Sequence, residues 1–160
     1  MDALELQTLA SELSADSAVA VAAFDLAGQR ATDPSPAALD SAAHHLSRAY
    51  NVIEQMALRV AKAFENSVDD ERGWHTELIR RLSIRIEGVR PPLFAGELRQ
   101  PLHELRAFRH VFVHAYDLTV DREKLMLILK YGQFVRDRLP VSVSTFLAAV
   151  ADEQGIDRPR

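Results

Sequence analysis

The chain of 160 residues contains no cysteine, which excludes disulfides, thiolate metal sites and cysteine nucleophiles and agrees with a reducing compartment. It also lacks a long apolar run: the longest, Ala18 to Leu26, is interrupted by Asp25 and is too short to span a bilayer. Met1 is followed by Asp2 and Glu5 rather than by a basic flank and an apolar segment, so no secretory signal is read at this end. A soluble, cytoplasmic protein is the expectation. Two chemical signatures are missing as well. There is no Gly-x-Ser-x-Gly elbow for serine catalysis and no Gly-x-x-x-x-Gly-Lys phosphate loop.

What is present is alanine, leucine and arginine in helical periods, with no strand-like alternation. The spacing predicts a first helix over about 2–29, with a break near Ser14 to Ser17, ended by the turn Asp33-Pro34-Ser35-Pro36. A long helix follows over about 36–66, where Leu39, Ala42, Leu46, Ala49, Ile53, Met56, Val60 and Phe64 recur at threes and fours, the seam of a bundle helix. After the polar loop 69–73, a shorter helix is expected from Trp74 to Gly88, with Leu78, Leu82 and Ile86 inward and Trp74 in the core. Arg90-Pro91-Pro92 stops it, because proline disfavours helix before it and lacks a donor. Further helices are predicted over about 95–116, over 122–139 with Asp121 as N-cap, and over 142–153 beyond Pro140. The fold expected is all-α: a single-domain antiparallel bundle of four or more helices over residues 1–160, with 155–160 as a loose tail.

The formal net charge is −4, but its distribution is uneven. Residues 1–40 carry seven acids and only Arg30, whereas residues 72–110 carry eight arginines and no lysine against Glu77, Glu87, Glu97 and Glu104. Arginine is favoured where planar, bidentate phosphate contacts matter. Arg80, Arg81 and Arg85 spread over more than one helix face; they suit either steering of a phosphate-bearing ligand by charge or an ordinary solvated surface.

The six histidines raise the question of a metal in the bundle core. Dimetal bundles use Glu-x-x-His pairs, and the residues three before each histidine are Ser41, Ala42, Arg72, Gln100, Ala107 and Val111, so no such pair exists. Adjacent His44 and His45 point about 100° apart and do not chelate one ion. No metal and no cofactor is expected.

The most informative stretch is Arg109-His110-Val111-Phe112-Val113-His114-Ala115-Tyr116. With Arg109 set at 0° on a helical wheel, Arg99, His103, Arg106, His110 and His114 fall within about 60–140°, and Leu102, Leu105, Phe108, Val111, Phe112 and Ala115 occupy the complementary arc. A stripe of guanidinium and imidazole suits a polyphosphate ligand and proton transfer near neutral pH. His114 is the candidate general base or acid, and Arg109 the group that stabilises charge on phosphorus. His110, Arg106 and His103 are candidate supporting or RNA-binding residues. Glu54 on the long helix is a candidate to orient Arg109 or His114, a solvated glutamate being the competing reading. Arg109 and His114 lie about 140° apart around a straight helix, so one phosphate is reached either across a two-fold axis between two copies or through a distortion near His114.

Arg109, the polar residue at 110, His114 and Tyr116 form an R-x4-H-x-Y motif. With Tyr50-Asn51-Val52-Ile53-Glu54, Trp74-His75-Thr76-Glu77-Leu78 and Arg90-Pro91-Pro92, the motif resembles the HEPN ribonuclease superfamily and, through its tyrosine, the HepT toxin branch, with the core match over 36–139. The resemblance implies a metal-independent endoribonuclease acting as a homodimer on RNA, tRNA among the candidate targets. It further implies the toxin of a type VII pair whose MntA-like nucleotidyltransferase antitoxin transfers AMP to Tyr116. Two alternatives remain open at this point: a non-catalytic HEPN-type module that binds a nucleotidyltransferase or RNA, and a plain structural bundle.

Overall fold

The computed structural model describes residues 1–65, 74–114 and 119–159, with only the backbone for 74–76. The described residues form five α-helices and no strand: α1 Ala3–Arg30, α2 Pro36–Phe64, α3 Trp74–Leu82, α4 Arg99–His114 and α5 Arg122–Gln154, with a 3-10 turn over Gly96–Leu98 before α4. The all-helical bundle expected from the sequence is therefore the fold. The loop 69–73 and the side chain of Trp74, which the sequence assigns to the core, lie outside the described residues.

Local chemistry sets the helix starts. Asp2 and Glu5 close a reciprocal capping box on α1. Ser35 caps α2 with Pro36 in its first turn, and Asp121 caps α5 by accepting from the Lys124 N–H. No break occurs at Ser14 to Ser17; Ser17 is buried and α1 runs through it. Helix α2 is the hub, packing on α1, α3, α4 and α5. Its predicted seam is buried from Leu39 to Val60, and alanines at 42, 43, 49 and 57 let α1 approach closely with Ala20, Ala23 and Ala27.

Two predicted boundaries are corrected. Helix α3 ends at Leu82, not Gly88, because the next residues turn back on themselves: Ile86 and Arg90 pair as an isolated bridge around Gly88, whose φ of 72° suits glycine. The backbone oxygens of Arg81 and Ile84 accept from the Arg90 guanidinium. The second correction is α5, which continues through Pro140 as one helix rather than two. Pro140 and Arg136 are both exposed, so the Arg136 carbonyl that loses its donor lies on the watered side.

The segment between α3 and α4 fixes where α4 begins. Arg90 is fully buried; its Nε donates to Glu65 Oε1 at 2.8 Å, and Arg81 pairs with the other oxygen of the same carboxylate. Leu93 and Phe94 N–H groups both reach the Leu82 carbonyl. Ser142 of α5 then accepts from the Ala95 N–H and donates to the Leu93 carbonyl, tying the entry of α4 to α5. Beyond α5, Gly155 takes the left-handed conformation, Ile156 packs on the core and Arg158 bonds Asp152.

Candidate active site on helices α2 and α4

Helix α4 buries Pro101, Leu102 and Leu105 against the bundle, which turns the basic stripe outward. Arg99, His103, His110 and His114 are exposed, while Arg106 and Arg109 are half-buried. The stripe is thus real, but its two flanks differ. The arginines at 106 and 109 lean into the α2 interface; the histidines face solvent.

Facing them from α2 are Tyr50 and Glu54, one helical turn apart. Glu54 is buried, which overturns the reading of it as a solvated side chain. The reason is position: Glu54 adjoins Ile53 and follows Tyr50 by four residues, so it shares the shoulder of the apolar seam that α4 covers. Arg109 Nη1 stands 4.0 Å from Glu54 Oε2, with the arginine side chain 30% exposed and the glutamate 4%. Arg109 Nε is buried and meets no hydrogen-bond acceptor among the described residues. Tyr50 is fully buried. Burial and the neighbouring Glu54 carboxylate push its phenol well above the ordinary tyrosine range, against the opposing pull of Arg106 and Arg109. Tyr50, Glu54, Arg106 and Arg109 therefore make one charged cluster at the α2–α4 contact, in which a buried carboxylate faces cations.

His114 closes the described part of α4. Its Nδ1 lies 2.9 Å from the His110 backbone oxygen. A carbonyl only accepts, so Nδ1 must carry the hydrogen, and in the neutral ring the lone pair sits on Nε2. The imidazole is held by its own helix through Nδ1. The His110 ring stands beside it, 4.6 Å between centroids. Helix α4 remains α-helical through His114, so the described backbone shows no distortion that would bring Arg109 and His114 onto the same face. Val111 and Val113 are 53% and 58% exposed at this end of the helix.

The structure thus joins Arg109, Arg106 and Glu54 in one cluster and His110 with His114 in another, and it leaves His103 about two turns from His110 towards the start of α4. Tyr116 lies outside the described residues. Sequence reasoning quoted Tyr50 only as part of a family segment and missed its burial in the charged cluster; its signal was the i, i+4 pairing with Glu54 along the seam. It also missed Arg90 and Glu65 as a buried pair, for which no local pattern speaks. Among the described residues no three carboxylate or imidazole groups gather as metal ligands.

A family model described as HepT-like protein matches residues 41–150, from α2 into the last turns of α5. Neither curated proteins nor solved structures supply a match.

Proposed function

The chain belongs to the HepT-like family, and from that premise we propose that it is the toxin of a toxin–antitoxin pair and cuts RNA without a metal. The observation that carries the reading is the held imidazole: Nδ1 of the exposed His114 is committed to the His110 carbonyl, which leaves Nε2 to take a proton. In this mechanism Nε2 removes the proton of a ribose 2′-hydroxyl and the 2′-oxygen attacks phosphorus. The bond to the 5′-oxygen breaks, and that oxygen receives a proton from a second imidazole, either the adjacent His110 or the partner copy's own His114 residue. The products are a 2′,3′-cyclic phosphate and a 5′-hydroxyl. Arg109 holds the charge that builds on the phosphoryl oxygens, kept in place from behind by Glu54.

The active unit in this reading is a homodimer. A regular helix separates Arg109 from His114 by about 140°, and exposed Val113 falls between Arg109 and His110 on the same wheel. An apolar side chain in the middle of a catalytic stripe suits a second copy packed there, with Arg109 of one chain meeting His114 of the other. The antitoxin is a nucleotidyltransferase that adds AMP to the Tyr116 hydroxyl. The adenylate's bulk and negative phosphate then oppose RNA at the cleft.

Incubation of the purified chain with RNA in excess EDTA tests this. Cleavage should persist, leave cyclic phosphate ends, spare DNA of the same sequence and vanish in His114→Ala, with loss of a positioned proton donor or acceptor costing about 10²- to 10⁴-fold. A folded native chain that binds RNA or a nucleotidyltransferase without cutting would replace this reading with the non-catalytic one.

A further inference from the structure

Away from the two histidines, α3 and the first turns of α4 enclose a cleft of about 320 Å³ whose lining includes Arg80, Arg99, His103 and Arg106, with Glu77 as the acid. Glu77 is already bonded to Arg80, at 2.8 Å to its Nε. Glu104, the nearby acid on α4, is turned to Gln100 at 2.6 Å. Arg99 has no acidic partner among the described residues. Among the described residues, two helices thus bring three guanidinium groups and an imidazole to the wall of one concavity, and Arg99 there is left to meet an anion from outside.

Guanidinium forks and imidazole N–H groups together are donors for phosphate oxygens, and a cleft of this volume takes a phosphodiester with its sugar. Its position says which phosphate. His103 is eleven residues from His114, about 16 Å along the helix axis, so the group held here is not the one being cut. We infer that the cleft is a second phosphate subsite that grips the RNA backbone several nucleotides from the scissile bond, with Arg106 spanning from it to the Glu54 cluster. The inference rests on the ribonuclease reading for its substrate. It adds that the chain selects for RNA long enough to reach from His114 to Arg99.

The test compares Arg80→Gln/Arg99→Gln with its parent on a dinucleotide and on a long single-stranded oligoribonucleotide. Both positions are on the surface, where one local ion pair contributes little to stability, and circular dichroism with melting checks the fold. On the long RNA, KM should rise with kcat unchanged, while dinucleotide cleavage stays as it was. In the non-cutting His114→Ala background, fluorescence anisotropy should show weaker binding of the long RNA and a salt slope smaller by about one. Equal salt slopes, or losses equal on both substrates, would overturn the subsite. Calorimetric titration with ATP separates the sources: ATP binding that the double variant loses while RNA binding is unchanged would assign the cleft to a free nucleotide instead. If the native chain cuts no RNA at all, the ribonuclease reading fails, and the anisotropy arm still decides the cleft.

Discussion

Arg90 and Tyr50 are polar side chains that the bundle takes fully out of water, and each places a demand on its neighbours. The Arg90 guanidinium satisfies that demand with Glu65 and the carbonyls of Arg81, Ile84 and Pro91, so it organises a whole turn around itself rather than merely neutralising one acid. Arg90→Ala should lower the unfolding free energy by about 3–5 kcal/mol, because it leaves the buried Glu65 with only the half-exposed Arg81 as partner and strands three carbonyls; chemical denaturation measures it, and a loss below about 1 kcal/mol would mean water takes the vacated place. Arg90→Lys should recover little, since an ammonium has no fork to span those acceptors. Tyr50 gives a pH dependence. Its folded pKa lies above the ordinary value of 10.0, so its contribution to stability is fully present below about pH 10 and is lost as the pH rises from there towards the folded value. Melting temperature should therefore fall less steeply in alkali for Tyr50→Phe than for the native chain; parallel curves would place the tyrosine in contact with water. The burial of Arg90 was not legible from its sequence neighbourhood, whereas that of Tyr50 had a signal in its i, i+4 spacing to Glu54 along the seam. Arg90 precedes two prolines and reads as a loop residue, and the partner that buries it, Glu65, is twenty-five positions away.

At the scale of elements, the helices pack as tightly as their smallest side chains permit. Gly132 of α5 is the clearest case: a Cβ there would stand 3.0 Å from both Leu46 Cδ2 of α2 and Phe24 Cδ1 of α1. Gly132→Val should cost about 1–3 kcal/mol by overpacking the junction of three helices, read as a shift of the denaturation midpoint with unchanged slope. A neutral result would show that Leu46 and Phe24 move aside freely. The apolar period of α2 is a property of the sequence, which is why the bundle and the buried seam of that helix were legible there, whereas Val111, read as part of the packed face of α4, is exposed. What failed were the places where tertiary contacts override a local rule. Pro140 reads as a helix end, yet α5 continues because the bond it removes faces water. Ile84 and Ile86 continue a helical pattern, yet α3 stops because Arg90 needs the carbonyls that the helix would use. The stripe on α4 followed from spacing alone, whereas the division of its arginines between solvent and the α2 interface depends on where α2 lies.

For the whole molecule, the arrangement of α4 bears on how many chains make one site. The exposed Val111 and Val113 lie at the end of α4 where His114 sits, and apolar side chains set among charged ones there suit contact with a partner chain. If that partner is a second copy, the proposed site is completed across the two-fold axis, and mixing two damaged chains tests it. Arg109→Lys is the better partner for His114→Ala than an alanine at 109, because it keeps a cation opposite the buried Glu54 while losing the fork that grips phosphate. Each variant alone should be folded, with cleavage abolished in His114→Ala and strongly reduced in Arg109→Lys. In a heterodimer made by co-expression with two different tags, one of the two composite sites has native Arg109 from one chain and native His114 from the other, so cleavage should recover towards half of the native rate. No recovery would mean either that each chain completes the site within itself, where every protomer carries one lesion, or that His114 of both copies takes part. Light scattering on the native protein gives the independent check: a monomer that still cuts RNA would rule out the shared site, and the approach of His114 to Arg109 would then have to come from the chain beyond α4.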